Sequence, residues 1–151
     1  MQGLRLFTAI CIFSSALVAA DSPFAGTWKL DPAKSKNLPG TGDKEAMVVF
    51  EAVGDQWKRV ATGVDPDGKP YKYEDTIAWD GKDHAIQLTG MTVAVNTLND
   101  HALKFTLKSE GKITMTGRLV VSKDGKTSTA YSKGKDDKGR KVDSVEVFEK
   151  Q

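Results

Sequence analysis

Apolar residues recur at every second position along most of this chain, and the runs are cut by turn signals at short, near-regular intervals. Leu103, Phe105 and Leu107 alternate with Lys104, Thr106 and Lys108. Tyr71, Tyr73, Ile77 and Trp79 alternate with Lys72, Glu74, Thr76 and Ala78. Ile113, Met115, Leu119 and Val121 follow the same rule, as do Val145 and Val147. Successive side chains of a strand point to opposite faces, so a period of two gives one apolar and one wetter face. The breaks read Gly54-Asp55, Asp65-Pro66-Asp67-Gly68, Asp80-Gly81, Thr89-Gly90, Asn99-Asp100, Glu110-Gly111, Asp124-Gly125 and Asp137-Lys138-Gly139. Such pairs supply the positive φ of tight hairpin turns.

The pattern predicts strands over 26–31, 44–53, 56–64, 70–79, 83–89, 91–98, 101–109, 112–122, 126–134 and 141–149. With nearly every connection short, sequential strands should pair as neighbours in an up-and-down meander. The fold class is therefore all-β, an antiparallel barrel of about 8–10 strands, since closure removes the exposed edges that template aggregation. The long connection, 31–43, opens Asp31-Pro32-Ala33-Lys34 and has room for a turn or two of helix. Met47, Val49, Leu103, Phe105, Leu107, Ile113, Met115, Val145 and Val147 read as core.

The first twenty residues are of another kind. Arg5 is their one charge, Leu6–Ala20 is apolar, and Val18-Ala19-Ala20 ends the segment on small residues. This is the pattern of a signal peptide cleaved after Ala20, with a stretch too short for a membrane anchor. The expected organisation is a signal peptide at 1–20, whose helix precedes a single barrel domain at 21–151. The expected compartment is periplasmic or extracellular, with no stable membrane anchor after cleavage. Cys11 is the one cysteine and falls inside the leader, so the mature chain has no disulfide and relies on its packed core.

Cleavage removes Arg5 from 22 basic residues and nothing from 20 acidic ones, leaving a net charge of about +1. Interspersed lysines and aspartates at that balance do not describe a nucleic-acid binder. His84 and His101, beside Asp83 and Asp100, have no paired ligand spacing and read as loop histidines, so no metal and no cofactor is expected. No Gly-x-Ser-x-Gly or Ser-x-x-Lys occurs, and the chain is read as a non-enzyme with no catalytic residues.

Two stretches carry a family likeness. Phe24-Ala25-Gly26-Thr27-Trp28-Lys29-Leu30 resembles the Gly-x-Trp of the first lipocalin strand, and Val145-Glu146-Val147-Phe148-Glu149-Lys150 is similar to the closing strand of fatty-acid-binding proteins. The mature chain looks like a secreted bacterial lipocalin-like protein. The resemblance implies a barrel whose first tryptophan plugs one end, and a carrier holding a small apolar or amphipathic molecule in its lumen, acting as a monomer. The Arg and Tyr that clasp a fatty-acid carboxylate in the family are here Glu146 and Phe148, so that clasp is absent.

Candidate ligand contacts come from two strand faces. Trp57 and Arg59 share one; Tyr71, Tyr73, Asp75 and Trp79 share another. If both point inward, the lumen holds several aromatics, a guanidinium and a carboxylate that pair or orient a polar ligand group. Otherwise the aromatics fill the barrel and the charges face water. The alternative function is a non-catalytic envelope interaction or structural module with a side-chain-filled barrel, working through the 133–141 hairpin or the 31–43 loop. An enzyme at the barrel mouth would have to draw on Arg59, Asp75 or His84.

Overall fold

The computed structural model describes residues 22–88 and 90–151. The expected signal peptide, Cys11 within it, Asp21 and Thr89 lie outside the described residues. Ten antiparallel strands run in chain order: β1 (Gly26–Leu30), β2 (Glu45–Val53), β3 (Gln56–Val64), β4 (Pro70–Ile77), β5 (His84–Ala85), β6 (Met91–Asn99), β7 (Ala102–Ser109), β8 (Lys112–Val121), β9 (Thr127–Lys135) and β10 (Lys141–Lys150). They form one sheet in the order β4-β3-β2-β1-β10-β9-β8-β7-β6-β5. The first strand meets the last through Trp28↔Lys150, Lys29↔Glu149 and Leu30↔Phe148, and the sheet becomes a nearly closed barrel.

The meander breaks once. Among the described residues no ladder joins β4 to β5, and the strand expected over 83–89 shrinks to His84–Ala85. The 31–43 connection is not helical. Asp31 Oδ1 accepts from the amides of Ala33 and Lys34 at 3.0 and 3.3 Å, as a helix cap would. One turn later, however, Lys36 exchanges both backbone hydrogen bonds with Val145, at 2.7 and 2.8 Å, and Ser35 Oγ accepts from the Val147 amide. A strand partner is within reach, and the chain resumes extended form along β10 before a helix can propagate.

The inward face of β2 is Ala46, Val48 and Phe50 rather than Met47 and Val49: Val48 stands opposite the buried Trp28, and Met47 is 39% exposed. On β10 the core residue is Phe148, with Ser144 also buried; Val145 and Val147 belong to the outer face, where 31–36 runs alongside. Both strands carry apolar residues on both faces, so alternation alone does not fix their parity. Ile113 is 62% exposed because the β7–β8 register shifts between Leu107 and Lys108, pairing Leu107 with Met115 but Lys108 with Ile113. The bulge turns Ile113 to the outside.

The core gathers at one end. Trp28, 2% exposed, is the largest fully buried side chain, and its indole Nε1 donates to the Phe24 carbonyl at 2.9 Å. A buried indole needs such an acceptor, and here the residue four positions earlier supplies it. The Lys150 ammonium lies 5.1 Å over the ring.

Gly117 faces Phe105 across β7–β8. A Cβ there would meet the Tyr131 carbonyl oxygen at 2.2 Å and Phe105 Cζ at 2.3 Å. Gly117→Ala is therefore expected to destabilise the barrel by about 2–3 kcal/mol in urea unfolding, since one of the two clashes is with backbone.

Candidate functional site

The barrel encloses a cavity of about 230 Å³. Its wall is apolar, built from residues such as Val48, Phe50, Val95, Leu103, Leu119 and Phe148, with Arg59, Asp75 and Ser128 as the polar exceptions. Of the residues singled out from the sequence, Trp57, Arg59, Asp75 and Trp79 line this space. Tyr71 and Tyr73 share the inward face of β4 but lie beyond the cavity, stacked on each other at 5.1 Å between centroids.

Trp57 stacks flat on Trp79, with centroids 4.3 Å apart and planes 7° from parallel. Phe24 and Phe50 meet Trp79 edge-on at 5.4 and 6.1 Å. These are the offset and T-shaped arrangements that aromatic quadrupoles favour. On the other side of the stacked indoles lies a second, more open space of about 500 Å³, bounded by Pro23, Asn99 and His101.

Arg59 and Asp75 are directly opposed on β3 and β4 and form an ion pair, Nη2 to Oδ2 at 2.7 Å. The carboxylate is 5% exposed and the guanidinium 39%. The other oxygen, Asp75 Oδ1, accepts the backbone amide of Gln87 at 2.7 Å. Gln87 Oε1 in turn accepts the Glu74 amide at 2.7 Å. These two bonds cross the interval between β4 and the β5 region that no ladder spans. A buried carboxylate persists only with such partners. Asp75→Ala is expected to cost about 3 kcal/mol and to speed hydrogen exchange selectively at the Glu74 and Gln87 amides, read by exchange mass spectrometry or NMR.

The opposite end of the barrel is acidic. The Tyr71 hydroxyl donates to Asp43 Oδ2, and burial, followed by that bond, pushes the phenol well above its usual range. Burial also raises Asp43, an effect that the Tyr71 bond opposes and the charge of Asp65 reinforces. Glu146 on β10 is pushed up to about 7, first by burial, then by the charge of Asp43, with the Asp43 amide partly offsetting both. Between 4.5 and about 7 the folded protein holds a proton on Glu146 that the unfolded chain has released, so stability falls as pH rises through that window. Glu146→Gln should leave stability at pH 4 unchanged and raise it at pH 8 by up to about 3 kcal/mol, measured by urea unfolding at both pH values.

His101 lies in the β6–β7 turn as expected of a loop histidine, whereas His84 opens the short strand β5; both are half-buried. Half-buried His84 has Nε2 2.8 Å from Asp80 Oδ1, and His101 has a buried Nδ1 without a hydrogen-bond partner. Two cations of the 133–141 hairpin are engaged within the chain, while Lys133, Lys135 and Lys141 are exposed. Lys138 pairs with Asp67, and Arg140 with Asp136 at 2.6 Å and Asp67 at 3.3 Å.

Phe50, Ser128, Ala130 and Gln87 were missed from the sequence, and Trp28 was read as an end plug rather than as part of the cavity wall. Phe50 and Ala130 share strands with equally apolar outward neighbours, and Gln87 acts from irregular chain where periodicity is silent.

No protein-family profile and no curated protein sequence matches the chain. Solved structures do. The zebrafish ileal bile acid-binding protein, solved with cholic acid, aligns with a TM-score of 0.55 at 15% identity, over 86% of this chain and 100% of that one. Apocrustacyanin C2 aligns at 0.45 and 16% identity, over 86% of this chain and 62% of that one. The siderocalin Ex-FABP aligns at 0.37 and 14% identity, over 86% and 71%. The first shares the barrel fold; the other two alignments are too loose to bear further weight.

Proposed function

We propose that this protein is an exported, monomeric carrier of a small apolar or amphipathic molecule held in the barrel lumen. The observation that carries the reading is the unfilled apolar cavity of about 230 Å³ with a few polar groups on its wall. An engineered core cavity of about 150 Å³ suffices for benzene, and ligand pockets usually span roughly 300–1,000 Å³. The lumen lies between these marks, so its ligand has a compact body of one or two rings or a short chain. The fold shared with a bile acid-binding protein supports the reading by analogy. Export rests on the leader at 1–20.

The side-chain-filled alternative is disfavoured by the cavity itself.

Native mass spectrometry of protein purified from its own host tests the reading. A co-purifying small molecule is expected, and an empty barrel under gentle extraction would count against it. Ala130→Phe, which inserts a ring into the lumen wall, should abolish that co-purification while lowering stability by only about 1–3 kcal/mol.

A further inference from the structure

The hydrogen-bonding state of the Arg59–Asp75 pair restricts what the lumen can accept. A guanidinium carries five N–H donors. Arg59 spends one on Asp75, and no other hydrogen bond engages it among the described residues. Asp75 differs: both oxygens already accept, from Arg59 and from the Gln87 amide, and the side chain is 5% exposed. The accessible unsatisfied capacity at this polar spot is mainly donor capacity: the remaining lone pairs of Asp75 belong to a carboxylate that is 5% exposed, whereas the Arg59 side chain is 39% exposed. A ligand group placed there meets the free donors of Arg59 first, which favours an acceptor.

Charge narrows the choice further. Arg59 and Asp75 are the two ionisable residues on the cavity wall, and they neutralise each other. A ligand carboxylate would enter an apolar enclosure with no uncompensated cation to meet it, and beside a buried carboxylate. A neutral oxygen has no such cost. Trp57 is two residues from Arg59 on the same face, and its stack with Trp79 sets a flat indole wall beside the guanidinium.

We propose that the lumen selects a neutral molecule with a compact, preferably planar apolar body and one hydrogen-bond acceptor, such as a ketone or ester oxygen, which binds the free N–H edge of Arg59. The proposal rests on the carrier reading and names the ligand class for that same cavity.

Equilibrium dialysis with a matched two-ring series tests it: 2-ethylnaphthalene, 2-acetylnaphthalene and 2-naphthoate. The acetyl compound should bind the wild-type protein about tenfold more tightly than its ethyl isostere, and no less tightly than the carboxylate. In Arg59→Met the acetyl-to-ethyl ratio should collapse to within about twofold. Because Arg59→Met leaves Asp75 without its cation, Arg59→Met/Asp75→Asn is measured alongside; its asparagine oxygen still accepts the Gln87 amide, and the same collapse is expected. Equal binding of the ethyl and acetyl compounds to wild type would overturn the acceptor assignment while leaving the carrier reading intact. Tightest binding of 2-naphthoate would overturn neutrality. Failure of all three to bind would instead remove the carrier reading, and this proposal with it.

Discussion

A sheet that curls onto itself must join somewhere, and in this barrel the described residues between β4 and β5 are bridged by the side chains of Asp75 and Gln87 rather than by a ladder. Asp75 reaches across with Oδ1 to the Gln87 amide and back with Oδ2 to Arg59. The alternative to these bonds is a charged group buried in an apolar interior, which costs several kcal/mol. Closure and electrostatics are therefore one constraint. Asp75 stays buried because the seam supplies donors, and the same bonds tie the two sides of the seam together. The lumen exists on that condition, since an open seam would let the apolar wall collapse or flood.

The two ends of the barrel follow different chemistry. At one, Phe24 and Trp28 pack as a plug, with Trp57 and Trp79 stacked close by. At the other, Asp43, Tyr71 and Glu146 form a half-buried acidic group in which Glu146 gains its charge near neutral pH. The position that the resemblance marked for a fatty-acid clasp holds Glu146, which argues against anionic ligands from a direction independent of Arg59 and Asp75.

Much of the fold was legible because period-two alternation and Asp-Gly turns are local signals that tertiary structure did not override. Nine of the ten strands lie close to where the pattern put them, the fifth shrinks to His84–Ala85, and the buried tryptophan of Gly26-Thr27-Trp28 sits in the core. What failed to read had physical causes. In β2, Met47-Val48-Val49-Phe50 is apolar on both faces, so the choice fell to the packing of Trp28 against Val48. In β8, a single shifted residue reversed Ile113. In 31–36, a good N-cap was overruled by a β10 edge that offered backbone partners. Trp57, Arg59, Asp75 and Trp79 were readable as wall residues because alternation places them together. Gln87 was not, because its role depends on a gap that becomes visible only once the strands have closed.

The stacked indoles of Trp57 and Trp79 divide the lumen from the open space beside His101. Two identical chromophores held 4.3 Å apart and nearly parallel do not absorb independently. Their transition dipoles couple, and the coupling changes sign and strength with small rotations of either ring. The barrel thus contains an optical gauge in its own partition, one that would register any molecule pressing on that wall as a change in far-ultraviolet circular dichroism.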